Sequence, residues 1–320
     1  RTPAPSLPPP TPAAGVSQSP PAIRPRVQAL APKAMPPLAH EAITAGASIA
    51  TENDEWRGWM LALSGGRGPQ SLATFERLFV DAYLPLWGAL ASGLDDPRAK
   101  ASLLVFRRAF ESSYPKAAAR FPLTDKRPKM VLDVPELTMK LARAHGARMS
   151  QIFVIEAMRF DVGTYVKEAL ARVLGDHADL VEETRLHAAL PTTTARALET
   201  IARGRDALRA PAATSEEMML AARSHAGLHR LRIGGREIFK LDTIELGMDE
   251  DPSCTPTRFS ALADSVAGTI ATHVDALRVK TLIYFTGDRG FTLDANGNAK
   301  CGGTTPEEVI IPAFAFLISP

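Results

Sequence analysis

The sequence predicts an α/β protein with a mainly parallel sheet and helices on both faces, preceded by a small helical domain and a disordered proline-rich segment. Three observations lead there. Prolines crowd the first fifty residues, helical periodicity without strands follows, and beyond Pro128 apolar runs of strand type alternate with helical stretches ending at glycine. With 320 residues and 45% hydrophobic side chains, the chain can bury a sizeable core.

Residues 1–50 hold nearly half of the 26 prolines, including Pro8-Pro9-Pro10, Pro20-Pro21 and Pro36-Pro37. Such a composition buries too little apolar surface to offset its ordering entropy, so the segment is expected to be a disordered linker. The chain begins at Arg1, which points to a processed chain or a piece of a longer polypeptide. Residues 51–128 read as a helical domain, a cap or docking module. Phe75, Leu78, Phe79, Ala82 and Leu86 form an apolar stripe at three- and four-residue steps. Asp96 before Pro97 has the form of an N-cap and first helical position, and Leu103, Phe106 and Phe110 continue the next stripe. Trp56, Trp59 and Trp87 are assigned to the core.

Residues 129–320 carry the α/β rhythm. Helices are expected at Leu137 to Ala144, Val162 to Leu174, Ala195 to Arg203, Ser215 to His229 and Thr257 to Leu277. Strands are expected at Gln151 to Ile155, within Val181 to Leu190, at Ile238 to Leu241, at Thr281 to Thr286 and at Val309 to Ile318.

The formal charge is +2, from 37 basic and 35 acidic residues, so no global field would hold nucleic acid or an anionic membrane. Any nucleic-acid contact would have to be local. Arg203, Arg205, Arg209, Arg223, Arg230, Arg232 and Arg236 make the middle of the chain basic, as a charged helix face also would. Cys254 and Cys301 lie far apart without metal-finger spacing, which favours a reducing cytoplasm. No apolar stretch approaches the ~20 residues that span a bilayer, so no membrane role is expected.

In open parallel sheets, functional groups collect beyond the carboxyl ends of the strands. Four segments place polar residues there. Glu156 follows an apolar run and is itself followed by Arg159 and Asp161, so it serves either as a cation ligand or in a local ion pair. Pro191-Thr192-Thr193-Thr194 stands at a helix start, where a threonine caps the helix, binds phosphate or attacks it. Asp242, Glu245 and Asp249 supply oxygen ligands or an acidic solvated loop. Gly287-Asp288-Arg289-Gly290-Phe291 ends the strand Thr281 to Thr286, and Cys301-Gly302-Gly303 brings a second group back. His225 and His229, four apart, would share one helix face.

Together these segments resemble the PglZ-type domains of the alkaline phosphatase superfamily, over roughly residues 130 to 316. That family's Asp-x-x-Arg strand end is matched by Glu156-Ala157-Met158-Arg159. Its Pro-Ser/Thr-x-Thr turn is matched by Pro191 to Thr194 and nominates Thr194 as nucleophile. An acidic stretch is matched by Asp242 or Glu245 with Asp249. Its Asp-His-Gly-Phe turn, His-Gly-Gly and Glu-x-x-x-Pro are matched by Asp288 to Phe291, Cys301 to Gly303 and Glu308 to Pro312. The resemblance implies an alkaline phosphatase-like sheet and a site for two divalent ions that activate the threonine. The family-equivalent metal positions are Glu156, Asp242, Asp249, Asp288 and Cys301.

The departures bear on function. The first aspartate is Glu156, one histidine is Arg289 and the last histidine is Cys301. Arginine stays protonated and cannot act as an ordinary ligand, so its guanidinium is expected in the cation position, paired with Glu156 or Asp288. The resemblance then implies a degenerate phosphohydrolase site in a scaffold that binds other protein subunits of a bacterial phage-defence (BREX-like) or signalling system. One alternative is an active phosphodiesterase or nuclease, with Thr194 as nucleophile and a single zinc or manganese ion. Another is a non-catalytic phosphate sensor using Thr194 and Arg289.

Overall fold

A computed structural model describes residues 55–65, 70–124, 126–209, 223–225, 227–294 and 298–319. The expected linker, residues 1–50, lies outside the described residues. The helices are α1 Glu55–Ser64, α2 Leu72–Leu78, α3 Leu84–Ala91, α4 Pro97–Ala118, α5 Val134–Ala144, α6 Phe160–Leu174, α7 Thr194–Arg203, α8 Thr243–Glu250, α9 Pro256–Val274 and α10 Pro306–Val309. The strands are β1 Met149–Ile155, β2 Ala178–His187, β3 Arg223–His225, β4 Leu228–Ile233, β5 Arg236–Leu241, β6 Thr281–Gly287, β7 Thr292–Leu293, β8 Ala299–Lys300 and β9 Ile310–Ile318.

Seven strands form one sheet in the order β2-β9-β6-β1-β5-β4-β3, while β7 and β8 make a separate hairpin. Only β1 with β5 and β1 with β6 pair in parallel, and every other pairing in the large sheet is antiparallel. Following the pairings across the sheet, β2, β6, β1, β5 and β3 point one way and β9 and β4 the other, so the sheet is mostly parallel in strand direction, as expected, but with two antiparallel insertions. Two local causes account for this. Gly234-Gly235, both at positive φ, turn β4 directly back into β5. Between β6 and β9 the described residues form a hairpin and one turn of helix rather than a long crossover helix, and β9 returns antiparallel beside β6.

The expected helix from Ser215 to His229 is corrected. Strands β3 and β4 occupy Arg223–His225 and Leu228–Ile233, and residues 210–222 lie outside the described residues. His225 and His229 therefore do not share a helix face. Arg230 to Ile233 alternates basic and apolar residues, and β pairing with β5 outweighs any helical preference there.

Alternate residues of each central strand feed opposite layers. Phe239, Phe153, Phe285 and Phe314 line up across β5, β1, β6 and β9, with ring centroids 4.9, 5.2 and 5.4 Å apart. This face packs on α6 and α9 through Val166, Leu170, Val266 and Ile270. Gly163 of α6 is required there, because a Cβ would lie 2.2 Å from the Pro312 ring of β9. Ile152, Val154, Leu282, Tyr284, Ala313 and Ala315 face the other way, against α5 and α7.

The predicted stripe Phe75, Leu78, Phe79, Ala82 and Leu86 is buried, with a π-helical turn at Phe79–Tyr83 joining α2 to α3. Asp96 caps α4 by accepting from the Arg98 and Ala99 amides. Trp56 is buried, whereas Trp59 and Trp87 are partly so. The apolar residues of α1 to α4 form one cluster with Met130, Leu132, Val309 and Ile310. No helix among the described residues is long and apolar enough to cross a membrane.

Candidate functional site

The polar groups gather beyond the carboxyl ends of β5, β1 and β6, the three strands that run parallel side by side. Strand β6 is buried along its whole length and delivers Asp288 into the interior. The Asp288 carboxylate accepts three hydrogen bonds. Its Oδ1 takes the amides of Ala157 at 3.0 Å and Arg289 at 2.7 Å, and its Oδ2 takes the Thr194 hydroxyl at 2.6 Å. Ala157 reaches it from a left-handed conformation, φ 57°, just after β1. A non-glycine residue in that region stores backbone strain of roughly 1–2 kcal/mol.

Thr194 opens α7, where Thr193 provides the cap by accepting from the Arg196 amide. Thr192 anchors the same turn to the glycine pair downstream. Its hydroxyl donates to the Gly303 carbonyl at 3.1 Å, and the Gly302 amide donates to the Thr192 hydroxyl at 3.0 Å. The two turns that carry Thr194 and Cys301 are thus stitched together.

Arg289 is buried, with its guanidinium hydrogen-bonded to Glu245 and its Nε 3.7 Å from Asp288 Oδ2. Its partners are therefore Glu245 and Asp288; Glu156 instead pairs with Lys240 at 2.9 Å, and Arg159 with Asp161. Burial opposes the Arg289 charge, but Asp288 and Glu245 outweigh it and hold the guanidinium above its ordinary value. Burial raises the Asp288 carboxyl, with Arg289 and the Thr194 hydrogen bond acting against it. Burial likewise raises Glu245, where the Glu156 charge adds to the shift and Arg289 opposes it. The Cys301 thiol is raised by burial and partly offset by Arg289.

Asp242, Glu245 and Asp249 fall on and before α8, a helix where the sequence suggested an acidic loop. Asp242 Oδ2 meets His229 Nε2 at 2.7 Å, while its Oδ1 is buried without a partner. Asp249, Glu245, Arg289, Lys300 and Cys301 line a cavity of about 40 Å³. Cys254 and Cys301 are both free.

The donor set does not fit the two-ion centre that the resemblance implies. Among the described residues, no three His, Cys, Asp or Glu side chains stand together to hold a metal. The oxygens of Asp288 are taken up by N–H and O–H donors, and a permanently charged guanidinium stands between Asp288 and Glu245.

Three features escaped the sequence. Lys240 as the partner of Glu156 follows from the parallel register, which sets it beside Val154. The left-handed Ala157 carries no glycine to announce it. Glu307 is buried beside the site turn, and a Cβ on Gly290 would lie 1.9 Å from its carbonyl oxygen.

Fold and site define a mixed α/β protein with a Thr–Asp–Arg–Glu cluster, buried at Asp288 and Arg289, at the carboxyl ends of its parallel strands. No family model matches the chain, and no curated protein does. Among solved structures, it is similar to the integral membrane protein lipooligosaccharide phosphoethanolamine transferase A (EptA) from Neisseria meningitidis. That likeness covers 78% of this chain and 69% of the other, at 11% identity and a TM-score of 0.28. A similarity that loose carries no argument about fold or function.

Proposed function

We propose that this chain is a non-hydrolytic, partner-binding component built on an alkaline phosphatase-type frame of the PglZ kind. One observation carries the reading: the Arg289 guanidinium bridges Glu245 and Asp288. A charge-neutralising cation is thereby supplied by the chain itself. Glu156, Glu245 and Asp288 persist as partners of lysine and arginine, an arrangement that occupies them with the chain's own cations. The module formed by residues 51–128 would engage other protein subunits, in a defence or signalling assembly of the bacterial cytoplasm.

A second reading is favoured by the Thr194 to Asp288 hydrogen bond of 2.6 Å. A nucleophile next to a carboxylate is the geometry of base-assisted attack, and burial raises the basicity of that carboxylate. Under this reading the protein is a phosphodiesterase in which Asp288 takes the proton from Thr194.

The two readings separate on an aryl phosphodiester assay with and without added zinc or manganese, using Thr194→Ala as control. The first expects equal background rates for both proteins and no stoichiometric metal after dialysis. Turnover that vanishes in Thr194→Ala, or a retained equivalent of metal, overturns it.

A further inference from the structure

The site turns are tied to the helical layer by one buried carboxylate. Glu307, in α10, accepts from the Tyr83 hydroxyl and from the Arg107 guanidinium, and Arg107 also reaches the Tyr83 oxygen at 3.3 Å. Tyr83 lies in the π-helical turn before α3, and Arg107 lies in α4. The other Glu307 oxygen and the Arg107 Nε are buried without hydrogen-bond partners. These two donors are thus the hydrogen bonds that hold the Glu307 carboxylate among the described residues.

From Glu307 the connection runs to both halves of the site. Its carbonyl packs directly against Gly290, whose amide donates to the Glu308 carbonyl at 3.0 Å. This seats the turn that carries Asp288 and Arg289. Glu308 Oε1 accepts the Gly303 amide at 2.9 Å, and Oε2 accepts from Thr305. Gly302 and Gly303 in turn hold Thr192, two residues before Thr194.

We infer that Tyr83 and Arg107 are positioning residues, which set the Arg289 turn and the Cys301 turn through Glu307 and Glu308. A ligand or partner that moves α4 would therefore alter the geometry around Thr194 without touching it. The inference uses the site as proposed above but does not depend on whether that site turns over substrate.

Amide hydrogen exchange of the intact protein tests it, comparing wild type with Arg107→Met and Tyr83→Phe. Peptides covering Asp288–Phe291 and Cys301–Gly303 should lose about tenfold protection, while the β4–β5 hairpin keeps its wild-type exchange. In the same samples Cys301 should be alkylated at a rate altered at least threefold relative to Cys254. Arg107→Lys, which keeps the charge against Glu307, should restore most of both. Should Arg107→Met not fold, Tyr83→Phe alone decides the matter, since it removes one donor and little volume. Wild-type exchange at both turns in a folded variant overturns the inference, and so does an equal loss of protection in the β4–β5 hairpin.

Discussion

The Thr194 hydroxyl donates a hydrogen bond of 2.6 Å to Asp288, and this one bond joins the start of α7 to the turn that follows β6. Both groups stand within reach of a fixed positive charge, because Arg289 Nε is 3.7 Å from the same carboxylate oxygen. The behaviour of this cluster follows from how its charges are paired.

Removing the guanidinium leaves Asp288 fully buried and Glu245 half-covered without their cation. Arg289→Met is expected to destabilise the protein by about 3–5 kcal/mol, the usual result of breaking a buried pair from one side. Arg289→Lys should cost less, since it keeps the charge and loses the fork. Urea unfolding of the three proteins measures both.

Asp288 makes stability depend on pH in a defined direction. Its folded-state value is raised, chiefly by burial, above the unfolded carboxylate value of about 3.9. Below that value the group is protonated in both states and contributes no penalty. As pH rises towards the folded value, the unfolded chain releases its proton first and stability falls, after which the penalty stays constant. Asp288→Asn should remove this dependence, so its stability relative to wild type should climb with pH across that window. Denaturation curves of both proteins from acid to neutral pH check it, and a constant difference would contradict it.

Two glycine substitutions should act in opposite senses. Gly290→Ala would drive a methyl group into the Glu307 carbonyl at 1.9 Å, so backbone must shift and the loss should exceed about 3 kcal/mol. Gly268 sits exposed in α9 with nothing within 4 Å of a Cβ. Gly268→Ala should therefore gain about 0.5–1 kcal/mol from helix propensity alone. Thermal melts of the pair resolve both signs.

Arg159 stands 4.2 Å over Trp87, 5.0 Å from Phe291 and 5.3 Å from Phe259, while its fork grips Asp161. Lysine reproduces neither the stacking nor the two-pronged contact. Arg159→Lys is expected to cost about 2 kcal/mol or more by chemical denaturation.

Much of this was legible because the relevant signals are local. The β1, α6, α7, α9 and β6 elements follow from periodicity, with glycines marking the ends of α6, α7 and β6, and Asp96-Pro97 announces α4 directly. The acids at strand ends were legible one at a time. The pairing of Arg289 with Asp288 was legible too, but those of Lys240 with Glu156 and Arg289 with Glu245 were not, because they come through sheet register and helix placement. The direction of β9 was also hidden. An apolar run reads alike up or down, and nothing within Ile310 to Ile318 announces that it pairs antiparallel with β6. Arg107, Tyr83 and Glu307 gave no signal at all, since each is an ordinary residue for its own element.

The place of β9 also governs how the molecule is made. It separates β2 from β6, and β2 pairs with no other strand of the sheet. During synthesis β2 leaves the ribosome long before its neighbour exists and must wait as an open edge. The central strands can assemble in the meantime, but the sheet stays in two pieces until Ile310 to Ile318 emerge. A nascent chain stalled before that point leaves the wholly buried strand β6 with one edge unpaired, which makes it a substrate for chaperones and a hazard for aggregation.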